Sequence, residues 1–303
     1  MDSAPGNVGG RVDAATETFL AHRNLLFTVA YELLGSAADA EDVLQETWLR
    51  WAEVDLPTVR DRRAYLVRIT TRQALTRLRT LGRRRESYVG PWLPEPLLTS
   101  PDVAEDVELA DSVSMAMLLV LETLAPVERA VFVLREVFAL GYDEIAEAVD
   151  KSQAAVRQIA HRAREHVAAR RPRGPVSADE TRSALVAFQR ALHTGDVQAL
   201  LDVLAPEVVL LGDGGGIKQA LPRPVVGALP VAKLLMHGWK RVGPVASFEL
   251  TLVNGRPAGV LRLDGELDSV LSLRIDDGLI TGMYAVRNPE KLSRMERVVA
   301  VSR

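Results

Sequence analysis

Three dipeptides, Asn254-Gly255, Asp264-Gly265 and Asp277-Gly278, separate four apolar runs of strand length at 247–253, 259–263, 269–275 and 280–286. Asn-Gly and Asp-Gly accept positive φ at both central positions of a two-residue turn, whose twist matches the strands it joins. The C-terminal part of the chain is therefore expected to hold an antiparallel meander. Ahead of it, Ser177-Ala178-Asp179-Glu180 is a capping box that opens a helix bearing Leu185, Val186, Phe188 and Leu192. A second helix at 196–204, a strand at 207–211, a sharp turn at Gly212-Asp213-Gly214-Gly215-Gly216 and a helix at 231–240 complete the region. Helices first and a curved sheet afterwards predict an α+β cone.

The first 172 residues follow different rules. They hold 7 glycines, against 14 in the remaining 131, and long stretches carry apolar residues at helical spacing. The stretch Arg170-Arg171-Pro172-Arg173-Gly174-Pro175 marks the change, because proline stops a helix. A helix at 13–34 points Phe19, Leu26, Val29 and Ala30 inward and ends at Gly35. A second, at 37–54, aligns Val43, Leu44, Thr47, Trp48 and Trp51, with both tryptophans assigned to the core. A third, at 64–79, buries Leu66, Ile69, Leu75 and Leu78. The segment Gly90-Pro91-Trp92-Leu93-Pro94-Glu95-Pro96 cannot be a regular helix, since its prolines remove donors and fix φ. The acidic run at 102–111 is part linker and part helix start, and a further helical unit opens near Ser114.

The net charge of −3 conceals a blockwise distribution. Residues 60–86 carry ten arginines against two acids, 87–128 carry eight acids and no Lys or Arg, and 151–173 carry seven basic residues against Glu165. Two arginine-rich blocks on helical patterns favour a polyanion partner over plain solvated faces. The chain has no cysteine, which excludes disulfides, cysteine-bound zinc and thiol catalysis. The N-terminus lacks an apolar segment behind a basic start, and the uncharged run at 112–121 is only ten residues. The expectation is a cytoplasmic protein without membrane contact.

The basic block at 151–173 lies in a helix-turn-helix pattern. Pro126 starts one helix, with Val131, Phe132, Leu134 and Val137 apolar, a short helix covers 141–149, Asp150-Lys151-Ser152 forms the turn, and a long helix runs over 153–170. Ile145, Ala146, Val149, Val156, Ile159 and Ala163 supply the small and aliphatic packing that two crossing helices need. Ser152 caps the second helix near a phosphate, while Gln153, Arg157 and Gln158 fall where an amide or guanidinium reaches base edges in the major groove. His161, Arg162 and Arg164 are placed for phosphates.

Two basic helical modules joined by an acidic, proline-bearing linker resemble a bacterial sigma factor of the extracytoplasmic-function (ECF) type, over about residues 12–170. Asp39-Ala40-Glu41-Asp42-Val43-Leu44-Gln45-Glu46-Thr47-Trp48 looks like the family's helix that docks on the clamp of the largest polymerase subunit, which implies polymerase contacts for Asp39, Asp42, Gln45 and Glu46. Residues 65–85 look like the part that opens and reads the minus-10 element, with Tyr65, Arg68, Arg72 and Arg79 as candidates for the single-strand surface. Residues 142–166 look like the minus-35 reader. Arg72 and Thr76 stand where many relatives carry Asn and Asp, and Asp150 replaces a frequent turn glycine.

Residues 176–290 resemble the SnoaL-like fold, and one subgroup of these sigma factors carries such an extension. Its Trp-Leu-Pro-Glu-Pro-Leu linker is met unchanged from Trp92 through Pro94 to Leu97. Its Asp-Gly-Gly-Gly-Lys loop is met by Asp213, Gly214, Gly215 and Gly216, with Ile217 at the lysine position and Lys218 one later. Its Asn-Pro-Asp-Lys-Leu stretch is met by Asn288, Pro289, Glu290, Lys291 and Leu292. The resemblance implies a multidomain chain of two all-α sigma modules plus an α+β cone. These are sigma domain 2 at 1–86, a linker at 87–112, sigma domain 4 at 113–172 and a SnoaL-like domain with its tail at 176–303. It implies core RNA polymerase and promoter DNA as partners, regulation in cis through contact between cone and sigma modules, and no cofactor or metal.

Asp213, His193, His237, Trp239 and Tyr284 are the residues to inspect for acid-base chemistry in the cone, although no catalytic residue is assigned and no enzyme activity is expected. A pocket for a small ligand of unnamed chemistry is a further expectation. Two alternatives remain at this point: a one-component regulator with a single DNA-binding module and a ligand sensor, and a SnoaL-class enzyme fused to a DNA-binding tail.

Overall fold

A computed structural model of the chain describes residues 8–170 and 177–303, with the side chains of 8–13 and 83–85 outside that description. The expected boundary at 170–175 thus lies largely outside the described residues, as do the side chains of Arg83, Arg84 and Arg85. In chain order the helices are α1 (Val8–Leu34), α2 (Ala37–Ala52), α3 (Arg62–Glu86), α4 (Pro101–Glu105), α5 (Val107–Ser112), α6 (Met115–Leu121) and α7 (Pro126–Phe132). A π-helical turn (Val133–Val137) continues α7 and is followed by α8 (Tyr142–Val149), α9 (Gln153–Ala168), α10 (Ala178–Thr194) and α11 (Val197–Val203). Strands β1 (Leu204–Asp213) and β2 (Val225–Val226) precede α12 (Ala228–Val242). Strands β3 (Ala246–Val253), β4 (Arg256–Leu263), β5 (Glu266–Asp276) and β6 (Leu279–Val286) lead to α13 (Pro289–Leu292). The chain divides into two compact units, one of residues 1–82, 121–167 and 301–303, the other of 83–120 and 168–300.

In the first unit, α1 stops where expected: Gly35 takes φ +66° and its N–H reaches Tyr31 O. Ser36 then caps α2 by accepting from the Asp39 N–H. Trp51 is fully buried and its indole N–H donates to Ala15 O at 2.9 Å, whereas Trp48 is half-buried against Phe19 with centroids 5.4 Å apart. Helix α3 runs seven residues beyond the expected end at 79, because arginines suit a helix and Gly82 interrupts it at a cost of only about 1 kcal/mol. The second half of α1 is buried on every side, Thr28 and Glu32 included, because α2 packs on one flank and α7 with the π-helical turn on another.

Helices α8 and α9 form the expected helix-turn-helix. Asp150 ends α8 in the left-handed region at φ +54°, a conformation Asp adopts more readily than most residues. Ile145, Ala146, Val149, Val156 and Ala163 are buried, while Ala160 takes the central place expected of Ile159, which is half-buried. Buried Arg129 of α7 donates to Leu121 O at 2.8 Å and Leu33 O at 2.6 Å and pairs with Glu122, which satisfies one carbonyl at the end of α6 and one at the end of α1.

The second unit contains a six-stranded sheet in the order β2-β1-β6-β5-β4-β3, antiparallel except for the parallel β1–β6 pair. All three hairpin turns take positive φ at both central residues, as their sequences predict. Strand β1 extends through Gly212 to Asp213, past the expected end at 211, because Gly212 and Asp213 pair with Ala285 and Val286 of β6. One face of the sheet closes with α10, α11 and α12 around Phe188, Leu200, Val208, Val231, Ile280 and Met283, forming the cone. The other face, with Val253, Ala258, Val260, Val270, Tyr284 and Val286, packs against Leu93 of the proline-rich segment and Met115 of α6.

Candidate nucleic-acid interface and linker clamp

Helix α9 presents Gln153, Arg157, Gln158, His161, Arg162 and Arg164 on one exposed surface, while Val156, Ala160, Ala163 and Val167 face inward. Ser152 Oγ accepts the Ala155 N–H at 3.2 Å, so the expected cap forms. The Arg157 guanidinium lies 5.5 Å from the Tyr142 ring centroid, which sets its direction from the first turns of the helix. Arg162 and Arg164 approach Glu128 and Glu136 at 3.7 and 3.3 Å, so both have acidic neighbours that compete with any phosphate.

The arginines of α3 are arranged differently. Tyr65 is half-buried beside Trp51, and Arg68 lies 4.4 Å over its ring. Arg68 Nη1 also pairs with Glu147 Oε2 at 2.7 Å, and Arg72 Nη2 donates to Glu147 O at 2.7 Å. Thus α8 of the helix-turn-helix occupies two of the four side chains expected to face single-stranded DNA. Arg79 is exposed. On α2, Asp39 and Asp42 are both held by Arg77, at 2.6 and 2.7 Å, while Gln45 and Glu46 are exposed.

The proline-rich segment is gripped by the cone. Asp213, fully buried at the end of β1, accepts four bonds: from Tyr88 OH at 2.6 Å, Leu93 N–H at 2.8 Å, Gly215 N–H at 3.1 Å and Lys291 Nζ at 2.6 Å. Lys291 Nζ also donates to Leu93 O at 2.6 Å and sits 4.2 and 4.8 Å from the Trp92 and Tyr88 ring centroids. A cation enclosed by two aromatic faces, a carbonyl and a carboxylate is held far more firmly than an exposed pair. Burial, together with the hydrogen bond to Asp213, pushes the Tyr88 phenol above its ordinary range and keeps it a donor. Asn288 caps α13, accepting the Glu290 N–H, and donates to Tyr88 OH at 2.9 Å. Pro289 opens α13 and Leu292 is buried in the core beneath, beside Leu93.

The glycines of the loop have a steric reason. Gly215 and Gly216 take φ +63° and +73°, and a side chain at either position would strike Asn288 or Val89. Gly214 is closed in by the Lys218 carbonyl. The segment Tyr88–Leu93 reaches Asp213 only because this loop is bare.

Two parts of the clamp were not marked by the sequence reading. Tyr88 lies outside the Trp-Leu-Pro-Glu-Pro-Leu stretch. Asn254, noted there only as a turn residue, is buried; its side chain accepts the Leu97 N–H at 3.1 Å and donates to Val113 O at 2.9 Å. Its neighbour Gly255 abuts the backbone of Ala110 in α5, and only a residue without a side chain fits there.

The residues inspected for acid-base chemistry do not converge. Asp213 is committed to the clamp, and Tyr284 faces the opposite side of the sheet from the cone interior because strand residues alternate. His237 is exposed, and exposed His193 bonds Gln189 O of its own helix at 2.9 Å and meets the edge of Trp239, with centroids 4.7 Å apart. Among the described residues no cluster of three or more His, Asp or Glu is placed to hold a metal ion, and no helix is long and apolar enough to cross a membrane.

A three-helix module with an arginine face, a helix-turn-helix and a cone that grips the chain between them define a two-module transcription factor of the sigma type with a C-terminal extension. Residues 18–84 match the model of sigma-70 region 2, and residues 114–167 that of sigma-70 region 4. The chain is 35% identical over 288 residues to the ECF RNA polymerase sigma factor SigJ of Mycobacterium tuberculosis, covering 91% of this chain and 92% of that protein. It is 32% identical over 283 residues to the probable ECF RNA polymerase sigma factor SigI of the same species, covering 92% and 95%. The crystal structure of M. tuberculosis SigJ superposes with a TM-score of 0.75 at 32% identity, covering 92% of this chain and 98% of that one. The chain belongs to the ECF RNA polymerase sigma factors.

Proposed function

We propose that the cone regulates this sigma factor in cis by holding the segment that joins its two sigma modules. As a family member the chain directs core RNA polymerase to promoters and starts transcription; the chemistry is the polymerase's, and no catalytic role is assigned to the cone. In this reading Asp39, Asp42, Gln45 and Glu46 of α2 meet the polymerase. Tyr65, Arg68, Arg72 and Arg79 hold the melted minus-10 strand. Gln153, Arg157 and Gln158 read base edges at minus-35, with Ser152, His161, Arg162 and Arg164 on phosphates. Work on core polymerase places the protein in the cytoplasm.

The observation that carries the regulatory part is the buried Asp213–Lys291 pair closing on Leu93 from both its N–H and its carbonyl. A small ligand in the cone would act through the same contact. The test is run-off transcription on pooled genomic fragments with purified core polymerase, alone and with the full chain. Discrete transcripts that require the chain support the reading, and identical output with and without it rejects the reading. The one-component regulator would lack a use for the α2 acids and the α3 arginines, and the enzyme alternative lacks a convergent polar set.

A further inference from the structure

The cone has a half-open cavity of about 370 Å³, walled by Phe188, Trp239, Phe248 and Leu271. Packed at the density of a protein interior, that volume accommodates ~14 non-hydrogen atoms. Its polar end is built by an irregularity in the sheet. Leu261 pairs with Ser269, but the next residue of β4, Arg262, pairs with Leu267, so Asp268 is the extra residue of a β-bulge. The bulge turns the Asp268 side chain to the cavity, whereas strict alternation would place it on the opposite face with Val270.

There Asp268 is buried and accepts from Arg287 Nε and Nη2 at 3.2 and 2.9 Å and from Lys218 Nζ at 2.8 Å. Two cations therefore surround one carboxylate. Arg287 Nη1 also donates to Gln219 O, so among the described residues three of its N–H groups have acceptors, which leaves two for another.

We propose that this cavity binds an amphipathic carboxylate, its apolar body among the aromatic side chains and its anionic head at Arg287. The proposal rests on the reading of the cone as regulatory and supplies the chemistry of its signal. Its link to the clamp is covalent and short. Gly212 lines the cavity and Asp213, the next residue, holds Tyr88, Leu93 and Lys291. Arg287 reaches the cavity with its side chain while its backbone N–H donates to Asp213 O at 2.6 Å. The loop that begins at Asp213 ends at Lys218, so one glycine-rich turn has its first residue in the clamp and its last paired with Asp268. A head group that draws Arg287 from Asp268 moves the strand ends that set Asp213.

The test is titration of the full chain with decanoate, and with 1-decanol as the neutral body of equal length, by calorimetry below the micelle concentration. Decanoate is expected to bind at one site, about tenfold or more tightly than decanol, because only it gains charge-assisted hydrogen bonds. Leu234→Trp, a substitution at the half-open rim of the cavity, is expected to abolish binding, and Arg287→Gln to erase the preference over decanol. Hydrogen exchange of residues 88–97 is expected to change on saturation. No saturable binding, binding that survives Leu234→Trp, equal affinity for decanol, or unchanged exchange at 88–97 overturns the proposal. Transcription without ligand is read separately, so a failure here is distinct from failure of the sigma assignment.

Discussion

Asp213 and Lys291, 78 residues apart in the chain, meet at 2.6 Å with side-chain exposures of 0% and 12%. Both also bond the backbone of Leu93, Asp213 by accepting its N–H and Lys291 by donating to its carbonyl. The pair is thus a two-sided grip on one residue of the linker. Breaking a buried ion pair by removing one partner costs about 3–5 kcal/mol, and Lys291 keeps its aromatic neighbours, so the lower end applies. Asp213→Asn is expected to lower the melting temperature of the second unit by roughly 6–12 °C in differential scanning calorimetry. It should also speed proteolysis at Tyr88–Leu97. An unchanged melting temperature and cleavage rate would show that the linker is held by other contacts.

Arg157 stands exposed near the start of α9, oriented by Tyr142. Arg157→Ala is expected to weaken binding to a cognate minus-35 duplex and to relax base preference by about 1–3 kcal/mol. Equal loss on scrambled duplex, measured by anisotropy, would reduce Arg157 to a phosphate contact.

Glu147 occupies Arg68, with side-chain exposures of 66% and 28%, so the pair is worth at most about 1 kcal/mol. Glu147→Gln is expected to raise affinity of the full chain for single-stranded DNA by about two- to fivefold at low salt. No gain would mean that Arg68 does not face the single strand.

Burial alone would push the Asp268 carboxyl up, but its bonds with Arg287 and Lys218 outweigh this and hold it below the ordinary aspartate range. A native value below the unfolded one gives stability that is complete above about pH 4 and fades as pH falls through the native value. The destabilisation caused by Asp268→Asn should therefore be present at neutral pH and shrink toward zero in acid. Urea midpoints of both forms across that range check it, and a gap that stays constant in acid would contradict the assignment.

Features read from local chemistry match the structure closely. The positive φ of Asn254, Asp264 and Asp277, the Ser177 capping box and the Asp150 turn each depend on a few adjacent residues. Features that arise from distant pairing were not legible. Nothing near Tyr88 announces a partner 125 residues away, and nothing around Asp268 marks the bulge that reverses its facing. Tyr284 was grouped with the cone interior because a strand's register, not its composition, decides which face each residue takes. Nothing around Arg129 marks its burial, since one carbonyl it satisfies belongs to α1, 96 residues earlier.

The most direct measurement is run-off transcription with purified core polymerase on a template the wild-type chain selects, comparing wild type, Lys291→Ala and Leu234→Trp. The grip of the cone on the linker predicts promoter-dependent transcript from the wild type, at least a severalfold change in its amount with Lys291→Ala, and little change with Leu234→Trp in the absence of ligand. Equal transcription from wild type and Lys291→Ala, with both proteins folded, would contradict control through the linker.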